Sequence, residues 1–297
     1  MRLVERLAAG HEIEGLFLEM QPIVSLHHPQ QSLNFEVLLR MRDEVGGRVP
    51  IERLLRAAEH AGCMSTVDRW VLRSTLRWLS EQREQLPANQ FVCLNLSAAS
   101  LNDERFIQDA YAMLEAHPDV APRLCLEITE SVALHDIGNT RRFIDRVRGC
   151  GARVALDDFG AGYTSFSYLK NLPADILKID GSFIVNMNRH PANVAIVEAI
   201  VSLAQNLGMK TIAEWAEDFE TVETLAEIGV DYVQGWALSR PLAPERIAAA
   251  RSGIDFITDP RLADYLNTQA PDDELAQVDL VLGAQAPALA SARSMSG

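Results

Sequence analysis

Seven short apolar runs in this chain each carry, or are followed at once by, polar residues able to do chemistry. The series reads Glu36, Asn95, Glu127, Asp157 with Asp158, Lys178, Glu214 and Gln234. One such residue at the end of an apolar run is ordinary; seven in succession form a pattern. Carboxylates and an amide oxygen are hard ligands, suited to Mg²⁺ or Mn²⁺. Without a cation, that many carboxylates around one cleft would repel one another. None of the seven histidines ends an apolar run and no HExxH occurs, which argues against a zinc peptidase. Acids gathered around a single lysine suit two-metal hydrolysis of a phosphodiester, with Lys178 relaying a proton or supporting developing charge.

The adjacent acids of VALDDFGAGY, residues 154–163, pose the sharpest question. Consecutive strand residues point to opposite faces, so Asp157 and Asp158 at the end of a strand would face two ways. Alone, Asp-Asp-x-Gly reads as a strand followed by a solvated turn. Within the series above, the pair is able to serve two metal ions.

Such residues need a scaffold that brings them together. β-leaning runs lie at 16–24, 33–39, 90–96, 123–128, 153–158, 175–180, 210–215 and 231–236. Helical patterns lie between most of them, at 52–62, 67–82, 103–117, 194–208 and 218–229. The pattern at 194–208 places Val194, Val197, Val201, Ala204 and Leu207 on one stripe and stops at Gly208. Strands alternating with helices imply a parallel sheet, and about eight such units make an α/β fold of the TIM-like (β/α)8 barrel type. A barrel collects strand-end residues on its carboxyl-end face. A doubly wound open sheet is the second choice, but the glycine fingerprint after the first strand is missing. The first two runs are joined only by SLHHPQQS, too short for a helical crossover, so one strand is expected to run antiparallel. The barrel is expected over residues 1–255, and 256–297, ending AQAPALASARSMSG, as a disordered tail.

Composition sets outer bounds. With 48% hydrophobic and 23% charged residues, 297 residues provide ample core material. A formal net charge of −14 argues against a nucleic-acid polymer as partner, yet bound cations can reverse the local sign for an anionic substrate. The four cysteines lack CxxC spacing, and Cys93 and Cys125 lie in apolar runs, as core thiols in a reducing cytoplasm would. No signal peptide and no membrane span are expected.

QPIVSL, FEVLLR, LNLSAASL, LEITES, ALDDFGAGYTSFSYLKNLPADILKID, IAEWAE and VQGWALSRPL occur in the order and spacing of a known family. From residue 14 to 250 the chain resembles the EAL-domain proteins, bacterial phosphodiesterases that hydrolyse cyclic di-GMP to linear pGpG. The resemblance implies that Glu36, Asn95, Glu127 and Asp157 are metal ligands and that Asp158 binds a second Mg²⁺ or Mn²⁺. It implies that Lys178 acts on the attacking water, with Glu214 and Gln234 near metal-bound waters. Glu130 would hold the loop after Asp158, a loop tied to metal binding and homodimer contacts, with Tyr163 and Phe166 available to a partner. Gln21 and Arg40 would contact the substrate's base or phosphate.

The chain departs from the family pattern at Val37, where the name motif has alanine, at Met41, and at Trp215, where the family has glycine. Trp215 is expected to pack the rim of the barrel rather than stack on a base. Every chemical position is retained, so the departures bear on rate and affinity. The alternative function is a receptor that binds cyclic di-GMP without cleaving it; Lys178, Glu127 and Asp158, commonly lost in pure receptors, are all present.

Overall fold

The computed structural model describes residues 15–162 and 166–269. Its nine strands among these residues are β1 (Leu16–Ser25), β2 (Asn34–Arg42), β3 (Arg48–Val49), β4 (Val92–Asn95), β5 (Leu124–Thr129), β6 (Arg153–Phe159), β7 (Ile176–Ile179), β8 (Lys210–Ala213) and β9 (Tyr232–Val233). They pair in the order β1-β9-β8-β7-β6-β5-β4-β2-β3, and β1 also pairs with β2. Eight strands therefore close into a barrel, and β3 is an extra strand on β2. β1 runs antiparallel to both of its barrel neighbours, with Gln21 opposite Glu36, and the remaining barrel pairs are parallel. The short hairpin connection has the consequence the sequence implies.

Period-two alternation divides each strand between the barrel interior and the surrounding helices. Ile23, Phe91, Cys93, Cys125, Ala155, Ile176 and Ile212 form one buried cluster inside the barrel. Their strand neighbours, such as Val92, Leu94, Leu124, Leu126, Val154, Leu156 and Leu177, join a larger cluster with the helices outside. Cys93 and Cys125 are thus buried free thiols at directly paired positions of β4 and β5.

The helices begin and end where side chains and backbone allow. Asp103 accepts from the amides of Arg105 and Phe106 at the start of Glu104–Glu115, and Asp218 accepts from Thr221 at the start of Phe219–Ile228. Gly229, at φ +89°, closes the latter. Helix Pro191–Asn206 buries Val197, Ile200, Val201 and Ala204 against the barrel.

Two expectations need adjustment. Helices Glu130–His135 and Ile137–Gly149 fill the β5–β6 connection, where the sequence reading names none. Beyond residue 255, helix Pro260–Gln269 follows, with Leu262 1% and Leu266 0% exposed in the main core. Two leucines four apart on one helical face are enough to dock a short helix, and residues 270–297 of the expected tail lie outside the described residues. Tyr163, assigned to partner contacts, also lies outside them.

Candidate functional site

Two residues after the apolar interior cluster, each strand places its next inward-facing side chain at the barrel mouth. The pairs read Cys93 then Asn95, Cys125 then Glu127, Ala155 then Asp157, Ile176 then Lys178, Ile212 then Glu214, and Tyr232 then Gln234. On β1 and β2, Gln21 and Glu36 complete the ring as cross-strand neighbours. The polar layer therefore stands on a dry apolar floor.

Lys178 is at its centre. It is 1% exposed, and its Nζ lies 2.8 Å from Glu214 Oε1, 3.0 Å from Glu127 Oε1, 3.2 Å from Asp157 Oδ1 and 3.7 Å from Glu36 Oε2. Burial alone would lower its pKa, but Glu127, Glu36, Glu214 and Asp157 override burial and hold the ammonium well above its usual range. Four carboxylates against one ammonium leave an excess of negative charge. Burial accordingly pushes Glu127 well up, helped by Cys93 beside it and opposed by Lys178. Glu214 is pushed up to about 7 by burial, again against the pull of Lys178.

Amides align the remaining groups. Asn95 donates from Nδ2 to Glu36 Oε1 at 2.7 Å, and Gln234 donates from Nε2 to Glu36 Oε2 at 2.8 Å and towards Gln21 Oε1 at 3.3 Å. Gln21 in turn donates to the carbonyl of Ser239 at 3.2 Å. Glu127 Oε2 and Gln234 Oε1 are buried acceptors without a hydrogen-bond partner. Orphaned buried oxygens among crowded carboxylates are what a divalent cation would satisfy.

The two adjacent aspartates reach the same place by a backbone device. The β6–β7 register slips between Leu156 and Phe159, and Asp158 takes the left-handed conformation at φ +54°. A regular strand would turn Asp158 away from Asp157; the left-handed residue brings it back. Carboxylate oxygens of Asp157, Asp158 and Glu214 all lie within 4.8 Å of one another, a grouping able to hold a metal ion. Burial, then Asp157 and Asp180, raise the Asp158 pKa.

These side chains open into a cleft of about 490 Å³ lined by Gln21, Glu36, Asp157, Asp158, Lys178, Glu214 and Gln234 together with Leu38, Trp215, Glu217, Gly235 and Trp236. Asn95 and Glu127 stand beside that cleft, bonded or paired to Glu36 and Lys178. Glu130 sits apart from it. Its carboxylate accepts the Gly160 amide at 3.0 Å. Arg40 is not among the residues that line the cleft: its Nε donates to Glu19 at 3.0 Å and its guanidinium also reaches the carbonyl of Leu39.

Two tryptophans stand at the rim of the cleft. Trp215 is 59% exposed and Trp236 58%, and both face the cleft. Trp215 holds φ +58°, strained for any residue but glycine, with its ring pressed over Gly181 so closely that a Cβ there would lie 2.2 Å from Cδ2. The Arg240 guanidinium covers Trp236 at 4.2 Å. Two contributors escaped the sequence reading. Glu217 was legible as the second acid of IAEWAE, three residues after Glu214; Tyr168, which donates to Glu130, had no signal beyond its place in SFSYL.

Comparison with known proteins bears on all of this. The family model described as the EAL domain matches residues 4–241. The cyclic di-GMP phosphodiesterase PdeF of Escherichia coli is 35% identical over 239 residues, covering 80% of this chain and 32% of that protein. PdeB of Shewanella oneidensis, likewise named a cyclic di-GMP phosphodiesterase, is 34% identical over 236 residues, covering 80% and 28%. The chain thus spans about a third of the length of these curated relatives. Among solved structures, the PaMucR phosphodiesterase in complex with c-di-GMP superposes with a TM-score of 0.75 at 31% identity, covering 83% of this chain and 100% of that one. The FimX EAL domain from Pseudomonas aeruginosa bound to c-di-GMP gives 0.71 at 27%, covering 80% and 93%.

Proposed function

The chain belongs to the EAL domain family, and from that premise we propose that it hydrolyses one phosphodiester bond of cyclic di-GMP to give linear pGpG. The observation that carries this reading is the buried Lys178 ammonium ringed by Glu36, Glu127, Asp157 and Glu214 at the base of an open cleft.

The donor set fits Mg²⁺ or Mn²⁺, with Glu36, Asn95, Glu127 and Asp157 holding one ion and Asp158 a second. Bound there, such ions would supply charge to the phosphoryl oxygens and acidify water. The chain's own groups do the rest. Gln21 and Gln234 present amide groups to the substrate at the cleft wall, and their mutual contact sets their orientation. Glu36 is oriented by hydrogen bonds from Asn95 and Gln234, one to each carboxylate oxygen. Water attacks phosphorus, the bond from phosphorus to one ribose oxygen breaks, and that oxygen ends protonated. The Glu214 carboxylate is the group able to take the proton the water sheds, and the Lys178 ammonium 2.8 Å from it can supply one to the departing ribose oxygen. The apolar floor beneath them keeps bulk water from the far side of the site. Arg40 would have to leave Glu19 to reach a phosphate.

One observation favours the receptor reading. Trp215 occupies a strained, cleft-facing position where the family has glycine, so binding could gain at the expense of turnover. Incubating the purified chain with cyclic di-GMP and Mg²⁺ or Mn²⁺ and resolving the products tests both. Linear pGpG formed by the wild type and absent with Lys178→Ala supports the enzyme; bound, intact dinucleotide supports the receptor. A homodimer through the segment after Asp158 belongs to the same proposal and is read by sedimentation. Among the described residues no helix is long and apolar enough to cross a membrane.

A further inference from the structure

We propose that Tyr168 is a positioning residue for the metal site, acting through Glu130 to hold the chain that follows Asp158. This rests on the reading of Asp158 as a ligand to a divalent cation.

Glu130 opens the helix after β5 and is 4% exposed. Its two carboxylate oxygens reach different parts of the chain. Oε2 accepts the Gly160 N–H at 3.0 Å, and Oε1 accepts the Tyr168 hydroxyl at 2.5 Å. Gly160 is two residues beyond Asp158, and Tyr168 eight beyond Gly160. One buried carboxylate thereby joins the two ends of the segment that leaves the metal site.

The near end has little freedom of its own. Gly160 sits at φ +94°, and a Cβ there would lie 2.8 Å from Phe183 Cε2, so only glycine presents its amide to Glu130 in this way. Asp158, at φ +54°, occupies a conformation that a non-glycine residue keeps only when its surroundings over-determine it. The far end supplies a matching constraint. Tyr168 is 6% exposed, its ring packed in the main core, so its hydroxyl is a fixed donor rather than a swinging one. A short hydrogen bond to a carboxylate in a dry site is among the stronger neutral-to-charged contacts. It orients the Glu130 carboxylate, and the other oxygen then meets Gly160 in the direction that keeps Asp158 turned towards Asp157 and Glu214. Neither the ring nor the hydroxyl touches the cleft, so the effect is positional.

The test is Tyr168→Phe, which removes the hydroxyl and keeps the ring, with Tyr168→Leu as a packing control. Calorimetric titration of the metal-free proteins with Mn²⁺ is the first readout, and kcat and KM for cyclic di-GMP the second. We expect Tyr168→Phe to bind Mn²⁺ about five- to tenfold more weakly, a fraction of what a charged hydrogen bond is worth. Its kcat should fall at fixed Mn²⁺ and recover at higher Mn²⁺, with KM within about twofold of wild type because the cleft wall is unchanged. Tyr168→Leu should melt earlier but bind Mn²⁺ no worse than Tyr168→Phe. Wild-type Mn²⁺ affinity in Tyr168→Phe overturns the inference while leaving the phosphodiesterase reading intact. So does a Tyr168→Leu protein that binds far more weakly than Tyr168→Phe, since packing would then be the cause. A wild type that binds Mn²⁺ but never cleaves the dinucleotide overturns the function reading and leaves this inference standing on the titration.

Discussion

Lys178 Nζ and Glu214 Oε1 lie 2.8 Å apart at the bottom of the cleft, and the lysine faces three further carboxylates within 3.7 Å. Removing either member of that pair unbalances a buried group of charges rather than a surface contact. The consequences differ for the lysine and for the acid.

Lys178→Ala leaves Glu36, Glu127, Asp157 and Glu214 facing one another without compensation. Turnover should fall by orders of magnitude while affinity for the dinucleotide largely persists. The metal-free variant should also lose roughly 3–5 kcal/mol, the range for a broken buried ion pair, and divalent cation should restore part of it. Denaturant unfolding in chelator and in Mn²⁺ measures both; equal losses in the two conditions would mean that no cation sits among these acids.

Glu214 supplies a pH dependence. Its carboxyl titrates near 7 in the folded chain against an ordinary 4.5. A raised carboxyl pKa means the folded state binds the proton more tightly than the unfolded chain. Its contribution is therefore complete below 4.5, is withdrawn as pH climbs from 4.5 to about 7, and stays lost above that. Metal-free protein should melt progressively earlier across that window, and Glu214→Gln should flatten the slope. An unchanged slope in the variant would place the titration elsewhere.

Chelation should abolish cleavage, and Mg²⁺ or Mn²⁺ should restore it. Ca²⁺ should support binding with little hydrolysis, because its looser coordination and weaker Lewis acidity serve phosphoryl transfer poorly. Full activity in excess chelator would remove the metal from the reaction.

Gly181 and Trp215 should be coupled. Gly181→Ala drives a methyl into the tryptophan ring and should cost about 1–3 kcal/mol, as overpacking does. In a Trp215→Gly background, where the ring is gone and φ +58° is no longer strained, the same change should cost less than about 0.5 kcal/mol. Additive losses in the double-mutant cycle would show that the ring yields freely.

Helix Pro260–Gln269 should be part of the folded unit. Leu266→Ala, at a position 0% exposed, should lower stability by about 2–5 kcal/mol, and ending the chain at residue 255 should lower it at least as much. A chain ended at 255 that unfolds like the longer protein would return the boundary to where the sequence alone puts it.

The barrel and most of its site were written in local patterns. Alternation in short apolar runs identifies strands, and the polar residue two positions beyond each buried one, as in Cys125 and Glu127 or Ile176 and Lys178, marks the mouth. Such signals are local because strand geometry repeats every two residues, and the barrel's closure then assembles them without further instruction. The short SLHHPQQS connection likewise dictates an antiparallel first pair.

What the local pattern could not carry is whatever depends on contacts between distant segments or on a single backbone angle. Asp158 joins Asp157 because of a register slip and a left-handed residue, and alternation alone would send it the other way. Arg40 pairs with Glu19 because the β1–β2 register makes them diagonal neighbours, a choice between two partners that no spacing reveals. Glu130 meets both Gly160 and Tyr168 across 30 and 38 residues, and two leucines dock the final helix on a core built elsewhere in the chain. The residue types that do the chemistry are set by sequence, since donor chemistry belongs to each side chain. Their aim was decided by tertiary structure, since direction is a property of the whole closed barrel.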